Sequence, residues 1–499
     1  MPAKLASTMS SRKIWPWLLA TAIVGVAVVV AASWFFRMAE RKYNRAEVGS
    51  AVMAKTVCSG VFISKRAPED ILTTDLSGPP YEPLKDFKPI VDRDAKRVTA
   101  SYCLFGKQAA FSCFIGTQTA IFREGLGCTL IHGRTEEALR AQSPGLPPPV
   151  PASNPEALWP EGERVDLETI PPGIDRAALK AGVEAAFARV DPKQPHHRTR
   201  ALVVVYDGRI VAERYATGFE PIMPLLGWSM AKTATNALVG LRVQDGKLAL
   251  AARALLPEWH DSRREITLDQ LLHMTSGLAF SEDYEAADTS DVEKMLYLKG
   301  DMSAYAAEKP LEHTPGTYWS YSSGTTNIIA RVLRQSFADE QEYLRFPRER
   351  LFEPIGMHSA VLEPDAAGIF VGSSYLYATA RDWARLGLLY LRNGLWQGRR
   401  LLPEDWVADS LKPVREAPNE RYGAQTWLKL DEGADSSSPN LGKPSLPGDA
   451  YYMLGHDGQI VAVVPSRDLV IVRLGLTRDN AWDPALDLAP IVQVFTPRS

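Results

Sequence analysis

Cysteine is absent from the last 371 of the 499 residues, histidine occurs only eight times, and neither sign of charge dominates. Each shortage removes a class of protein. A net charge of -3 and a pI near 6.3 leave no broad basic surface for a nucleic-acid backbone, so nucleic-acid binding is set aside. No Cys-x-x-Cys pair and no His-Glu-x-x-His spacing occur, so no metal site and no cofactor are expected. No internal repeat of fixed period is present, which argues against solenoids and propellers. Uncharged runs long enough to cross a bilayer are also absent, with one exception near the N-terminus.

That exception runs from 14 to 36, 23 residues without a charge. As a helix it would extend roughly 35 Å, enough to cross a bilayer, and Trp15, Trp17 and Trp34 suit the membrane interfaces. An uncleaved signal-anchor is expected over 14–36, preceded by a short cytoplasmic tail (1–13), because a cleaved signal peptide has a shorter apolar core. Basic residues flank both ends (Lys4, Arg12 and Lys13; Arg37, Arg41, Lys42 and Arg45), so they do not choose an orientation. Cysteine placement does. Cys58, Cys103, Cys113 and Cys128 all lie in a segment just beyond the run, as disulfides on the oxidising side of a membrane would. The body of the protein is therefore expected on the periplasmic or extracellular face. Of three possible pairings, Cys103 with Cys113 is favoured because they flank a hairpin turning at Gly106-Lys107, which leaves Cys58 with Cys128.

A Pro-dense, uncharged stretch, SPGLPPPVPASN, suggests an extended linker over 143–160. Before it, residues 46–142 read as a small cysteine-containing domain, a cover or partner surface for an active-site mouth. After it, residues 165–499 form a larger domain. This opens with a helical stretch over 176–190 and the arms ALVVVYDGRIVAERYA, joined at Asp207-Gly208 as a hairpin. GQIVAVVPSRDLVIVRLG repeats the pattern near the far end, turning at Pro465 to Asp468. The expected fold is α+β, an antiparallel sheet built from both ends of the domain, with the middle supplying helices.

The chemistry concentrates in GWSMAKTATNALVGL. Ser229 and Lys232, three apart where a helix begins, share one face, so the amine can reach the hydroxyl. Unpaired N–H groups at the helix start favour a developing oxyanion. Ser-x-x-Lys alone is weak, since Ser10 and Lys13 repeat it in the tail, and its plain reading is a capping serine before a solvated lysine. Two further polar junctions add weight: Tyr321 in HTPGTYWSYSSGTTN, ahead of a helix beginning near Thr325, and His456-Asp457-Gly458 at the mouth of an apolar strand.

With these residues in order, the chain from about 165 to 499 resembles the class C β-lactamase-like serine hydrolases. That family includes penicillin-binding enzymes, esterases, D-aminopeptidases and 6-aminohexanoate-dimer hydrolases. Ser229 and Lys232 match its Ser-x-x-Lys motif, Tyr321-Ser322-Ser323 its Tyr-x-Asn or Tyr-x-Ser motif, and His456-Asp457-Gly458 its Lys-Thr-Gly or His-x-Gly motif. LDQLLHMTSGL and YATARDWARLG fall between them in the family's order. The resemblance implies a β-lactamase/transpeptidase-like fold with a helical subdomain and an acyl-enzyme on Ser229. It assigns Lys232 as base, Tyr321 as proton donor to the leaving group, and the backbone N–H groups of Ser229 and Gln459 as the oxyanion hole. Ser323, His456, Asp457 and Gly458 would face a small amide or ester substrate. If Gln459 acts only through its amide, substituting its side chain should do little harm. Histidine in the third motif and serine in the second depart from the β-lactamases, and SMAKTATNALVG looks most like the 6-aminohexanoate-dimer hydrolase branch.

Other readings use the same residues. A D-Ala-D-Ala carboxypeptidase, a β-lactamase or a non-turnover β-lactam or cell-wall sensor would also need Ser229 and Lys232. Gly227-Trp228-Ser229-Met230-Ala231 approximates a nucleophile elbow, and an α/β-hydrolase would pair Ser229 with His456 and leave Lys232 idle. His196, His197 and His273 are read as structural, Tyr284 as a weak substrate contact, and Trp228 as packing.

Overall fold

The computed structural model describes residues 45–142, 154–188, 198–283, 290–430, 446–477 and 483–498. The uncharged stretch at 14–36 and most of the Pro-dense linker lie outside them. Among the described residues no helix is long and apolar enough to cross a membrane.

The N-terminal segment forms helix α1 over 45–62 and an antiparallel sheet of β1 (Phe87–Asp92), β2 (Arg97–Cys103), β3 (Cys113–Arg123) and β4 (Gly127–Leu130), ordered β1-β2-β3-β4. Both expected disulfides are present, Cys58–Cys128 and Cys103–Cys113, the second joining residues that pair directly across β2 and β3. Helix α1 is buried almost all round, as a helix enclosed on every side must be. Small residues permit this: a side chain on Gly49 would press into Phe87 and one on Gly60 into Ile71.

The larger region opens with α2 (Arg176–Ala188). Strands β5 (Thr199–Tyr206) and β6 (Arg209–Tyr215) follow, joined at Asp207 (φ 53°) and Gly208 (φ 74°). Two successive positive φ angles match the strand twist in a two-residue hairpin, so the Asp-Gly expectation holds. Short strand β7 (Leu225–Leu226) leads into α3 (Ala231–Gln244). The helical middle includes α4 (Ser323–Gln335), strands β8 (Val361–Leu362) and β9 (Leu376–Ala378) that complete a small sheet with β7, and α5 (Ala380–Leu391). After the β10 (Leu395–Trp396) and β11 (Arg399–Arg400) hairpin come β12 (Tyr451–Gly455), β13 (Gln459–Val464), β14 (Leu469–Gly475) and α6 (Pro484–Val492).

The main sheet has the order β12-β13-β14-β5-β6, antiparallel throughout, so the two ends of the domain meet at β14 and β5. Period-two alternation splits its side chains between two cores. Leu202, Val204, Ile460, Ala462 and Ile471 pack with Leu179 and Val183 of α2 and Leu488 and Ile491 of α6. Val203, Val205, Val461, Val463, Val470 and Val472 pack on the other face with Trp383 and Leu386 of α5. That second core continues without a break into Val57, Val61, Val98 and Ala120 of the N-terminal segment. The Pro-dense stretch thus separates two segments of sequence but not two cores.

Candidate active site

Strand β7 delivers the chain to a sharp turn. Gly227 donates its N–H to the Leu376 carbonyl at 2.9 Å, and a side chain there would collide with the Trp383 indole. A single 3₁₀ turn, Trp228–Met230, then carries Ser229, and α3 starts two residues later than Ser229 itself. Lys232, in the first turn of α3 and 1% exposed, has its Nζ 3.1 Å from Ser229 Oγ, 3.0 Å from Ser323 Oγ and 3.1 Å from the Ser373 carbonyl. Desolvation disfavours the ammonium and lowers the Lys232 pKa to about 8, while the Glu282 carboxylate acts in the opposite direction. A lysine in that range supplies neutral amine near neutral pH, as a general base requires.

Tyr321 stands immediately before α4, whose N-cap Ser322 accepts the Thr325 N–H at 3.0 Å. The Ser229 side chain opposes the upward shift of its phenol, and its ring lies 4.7 Å from Lys232 Nζ. Trp427 (5.2 Å between centroids) and Tyr422 (5.9 Å, perpendicular) pack against that ring, and burial pushes the phenol pKa up, which keeps it protonated. Ser323 sits within the site, between Lys232 and Glu282. It is fully buried, receives Lys232, and binds Glu282 through both its N–H (2.9 Å) and its hydroxyl. Its position as the first residue of α4 turns it inward. Glu282 was not singled out from the sequence, since a carboxylate in an irregular loop carries no periodic signal. Desolvation raises its pKa, and Lys232, Ser323 and His456 oppose that rise.

The third motif forms a 3₁₀ turn, His456–Gly458, between β12 and β13, with Asp457 at φ 61°. Gly455 brings it to the nucleophile: any side chain there would strike the Gly227 carbonyl oxygen. His456 lies edge-on to Trp228 at 5.6 Å, and its Nε2 is 3.3 Å from Asp457 Oδ1. Two buried side chains hold the turn. Gln459 Nε2 donates to the carbonyls of His456 (3.1 Å), Asp457 (3.3 Å) and Gly475 (2.6 Å), while its Oε1 accepts the Gly475 N–H at 2.9 Å. Arg473 donates to the carbonyls of Asp457 (3.3 Å) and Gly458 (2.8 Å). In a trans peptide the C=O and the following N–H point opposite ways, so these bonds aim the amide of Asp457 away from the Gln459 side chain and those of Gly458 and Gln459 away from Arg473.

The expectation that the Gln459 side chain is dispensable therefore does not stand, because it is part of the turn's scaffold. Gln459→Ala is expected to lower stability by about 1–3 kcal/mol, the cost of orphaning buried polar groups. A fall in kcat/KM of roughly 10-fold or more should accompany it, from loosened donors. Urea melts and ester kinetics on the variant test both. Arg473 also escaped the sequence reading: within LVIVRLG it looks like one polar residue on a strand, and only the packing shows it fully buried.

Of the remaining candidates, Tyr284 lies outside the described residues. His273 caps a short helix, its Nδ1 3.3 Å from Asp269 Oδ1. Among the described residues no cluster of His, Cys, Asp and Glu could hold a metal. A cleft opens beside the Trp228–Met230 turn. Thr56, Gly60, Ser64 and Tyr81 of the N-terminal segment line one side of it, and Trp228, Asp457 and Gln459 the other.

A lysine stripped of water beside a serine, on an antiparallel sheet with a helical middle, defines a serine hydrolase of β-lactamase-like fold. The chain belongs to the Beta-lactamase family, whose model matches residues 183–493. It is 24% identical to the 6-aminohexanoate-dimer hydrolase of Paenarthrobacter ureafaciens over 299 residues, 55% of this chain and 72% of that protein. With the D-aminopeptidase of Brucella anthropi it shares 29% identity over 196 residues, 36% of each chain. The solved penicillin binding protein from Bacillus halodurans is 17% identical and aligns with 61% of this chain and 96% of its own, at a TM-score of 0.46. The antiparallel sheet also removes the α/β-hydrolase alternative, which needs a doubly wound, mainly parallel sheet.

Proposed function

We propose that the protein cleaves an amide or ester bond of a small substrate through an acyl-enzyme on Ser229. The observation that carries this reading is Lys232, buried against Ser229 with its pKa pulled down to about 8. Ser229 Oγ bonds to the acyl carbon as its proton passes to neutral Lys232. The backbone N–H groups of Ser229 and Gln459 hold the oxyanion. Tyr321, whose ring lies 4.7 Å from Lys232 Nζ, protonates the departing amine or alkoxide as the C–N or C–O bond breaks, and Lys232 resupplies the phenol. Water then attacks the ester by the reverse route. The names of the two curated relatives, both amide hydrolases, favour an amide of the 6-aminohexanoate-dimer type. His456 in place of a fixed cation weakens any pull on a β-lactam carboxylate. We further propose that the 14–36 stretch anchors the protein in the cytoplasmic membrane, with the disulfide-bonded body on the oxidising side.

Intact-mass spectrometry with a p-nitrophenyl ester, an aminohexanoate dimer and a penicillin, beside Ser229→Ala, tests the reading. Transient acylation with multiple turnover, absent in the variant, is the expected result. A stable one-to-one adduct with penicillin alone would replace it with a penicillin-binding role, and no adduct with any probe would end it.

The acid limb of the pH profile supplies a second test. Protonated Lys232 cannot accept a proton, so kcat/KM should rise with pH through an apparent pKa near 8. Glu282 raises the Lys232 pKa, so Glu282→Gln should move that limb to lower pH. A limb that stays in place or moves upward would remove Glu282 from the electrostatics of the base.

A further inference from the structure

The tip of the β2–β3 hairpin exposes an unusual amount of apolar surface. Leu104 is 50% exposed, Phe105 69%, Phe111 81% and Phe114 63%, with the Phe105 and Phe111 rings 6.4 Å apart. Four such side chains in eleven residues are not the scattered exposure of an ordinary surface. The disulfide Cys103–Cys113 closes the base of this tip, so Leu104, Phe105 and Phe111 are presented on a short, covalently bounded loop, with Phe114 just past its end. Between 104 and 114 the only charge is Lys107, a cation, which suits an anionic headgroup layer.

The position of the tip says what it meets. Gly116, two residues past Phe114, has no room for a side chain: a Cβ would stand 2.7 Å from backbone atoms of Ala46 and Glu47. The chain therefore enters the described body against the base of this hairpin. Only nine residue steps separate Phe36, the end of the uncharged stretch, from Arg45, a reach of at most roughly 32 Å fully extended. We infer that the 104–114 tip is a second membrane contact, which inserts Leu104, Phe105, Phe111 and Phe114 into the interface of the bilayer that holds the 14–36 anchor. It would fix the tilt of the body on the membrane. The inference rests on the anchor reading proposed above.

The test uses the full chain in vesicles of phosphatidylcholine and phosphatidylglycerol at 3:1. The four cysteines are all in disulfides, so one added thiol takes a spin label without competition. Gln108→Cys places it at the tip, and Lys247→Cys, exposed after α3, serves as the reference. Flotation with the vesicles is read first, and failure to float would sink the anchor itself. In floating protein the tip label should collide several-fold more with dissolved oxygen than with a water-soluble nickel chelate, the reverse of the reference. Adding Phe105→Ser, Phe111→Ser and Phe114→Ser should return the tip label to the reference behaviour and leave ester hydrolysis and thermal stability near wild type. A tip label as open to nickel as the reference would overturn the inference. A label shielded from both reagents would also overturn it and assign the patch to a protein contact.

Discussion

Lys232→Ala should lower kcat/KM on an activated ester by about 10⁴-fold, the upper end of what a positioned proton-transfer group supplies. Three features place it there. The amine is 3.1 Å from Ser229 Oγ, it is shielded from water that could act in its stead, and its removal leaves Ser323 Oγ and the Ser373 carbonyl without their shared donor. Ser229→Ala should fall further, to the uncatalysed background, because no nucleophile remains. His456→Ala separates this mechanism from a serine–histidine one. With the histidine serving the substrate side, its loss should act mainly on KM, whereas a histidine base would make it as damaging as the lysine change. Kinetics of the three variants on one ester, each checked for a wild-type melting transition, give the answer. A Lys232→Ala enzyme within 10-fold of wild type would end the lysine-base mechanism.

Glu363→Ala should cost about 3–5 kcal/mol of stability, the usual effect of stranding a buried charge. Glu363 is fully buried where the N-terminal segment meets the larger region. It pairs with the Lys55 ammonium of α1, accepts the Ser59 hydroxyl at 2.8 Å and accepts the Cys128 N–H at 2.6 Å. Lys55 Nζ also lies 4.1 Å above the Tyr375 ring. Removing the carboxylate strands a cation, a hydroxyl and a backbone donor together. Lys55→Met combined with Glu363→Leu should recover only part of the loss, because the apolar pair satisfies neither Ser59 nor Cys128. Urea denaturation of the singles and the double closes the cycle. A Glu363→Ala loss below 1 kcal/mol would show that this buried pair does not hold the two segments together.

Most of the sheet was legible in the sequence, because its devices are local. Asp207-Gly208 specifies a hairpin through backbone φ alone, and the Val-rich arms on either side announce period-two strands. Cys103 and Cys113, paired directly across β2 and β3, were legible for the same reason. Helix α1 was not read as a helix, since a segment buried on all sides has no polar face to set a period. The contact between Ser229 and Lys232 was legible because three-residue spacing is a property of one helical turn. The second motif brings Tyr321 and Ser323 to Lys232, but that Ser323 also binds Glu282 depends on how its helix packs.

By itself the sequence determined the strand-rich ends of the larger domain, the placement of Ser229 and Lys232 on one face, and the order of the three motifs. All of these depend on residues a few positions apart. Tertiary structure alone decided that Glu282 sits against Ser323, that Gln459 and Arg473 hold the carbonyls of the His456–Gly458 turn, and that Glu363 binds Lys55 across more than 300 residues. A buried polar group is set by whichever distant partner satisfies it, and the chain records no local periodicity for such a pairing.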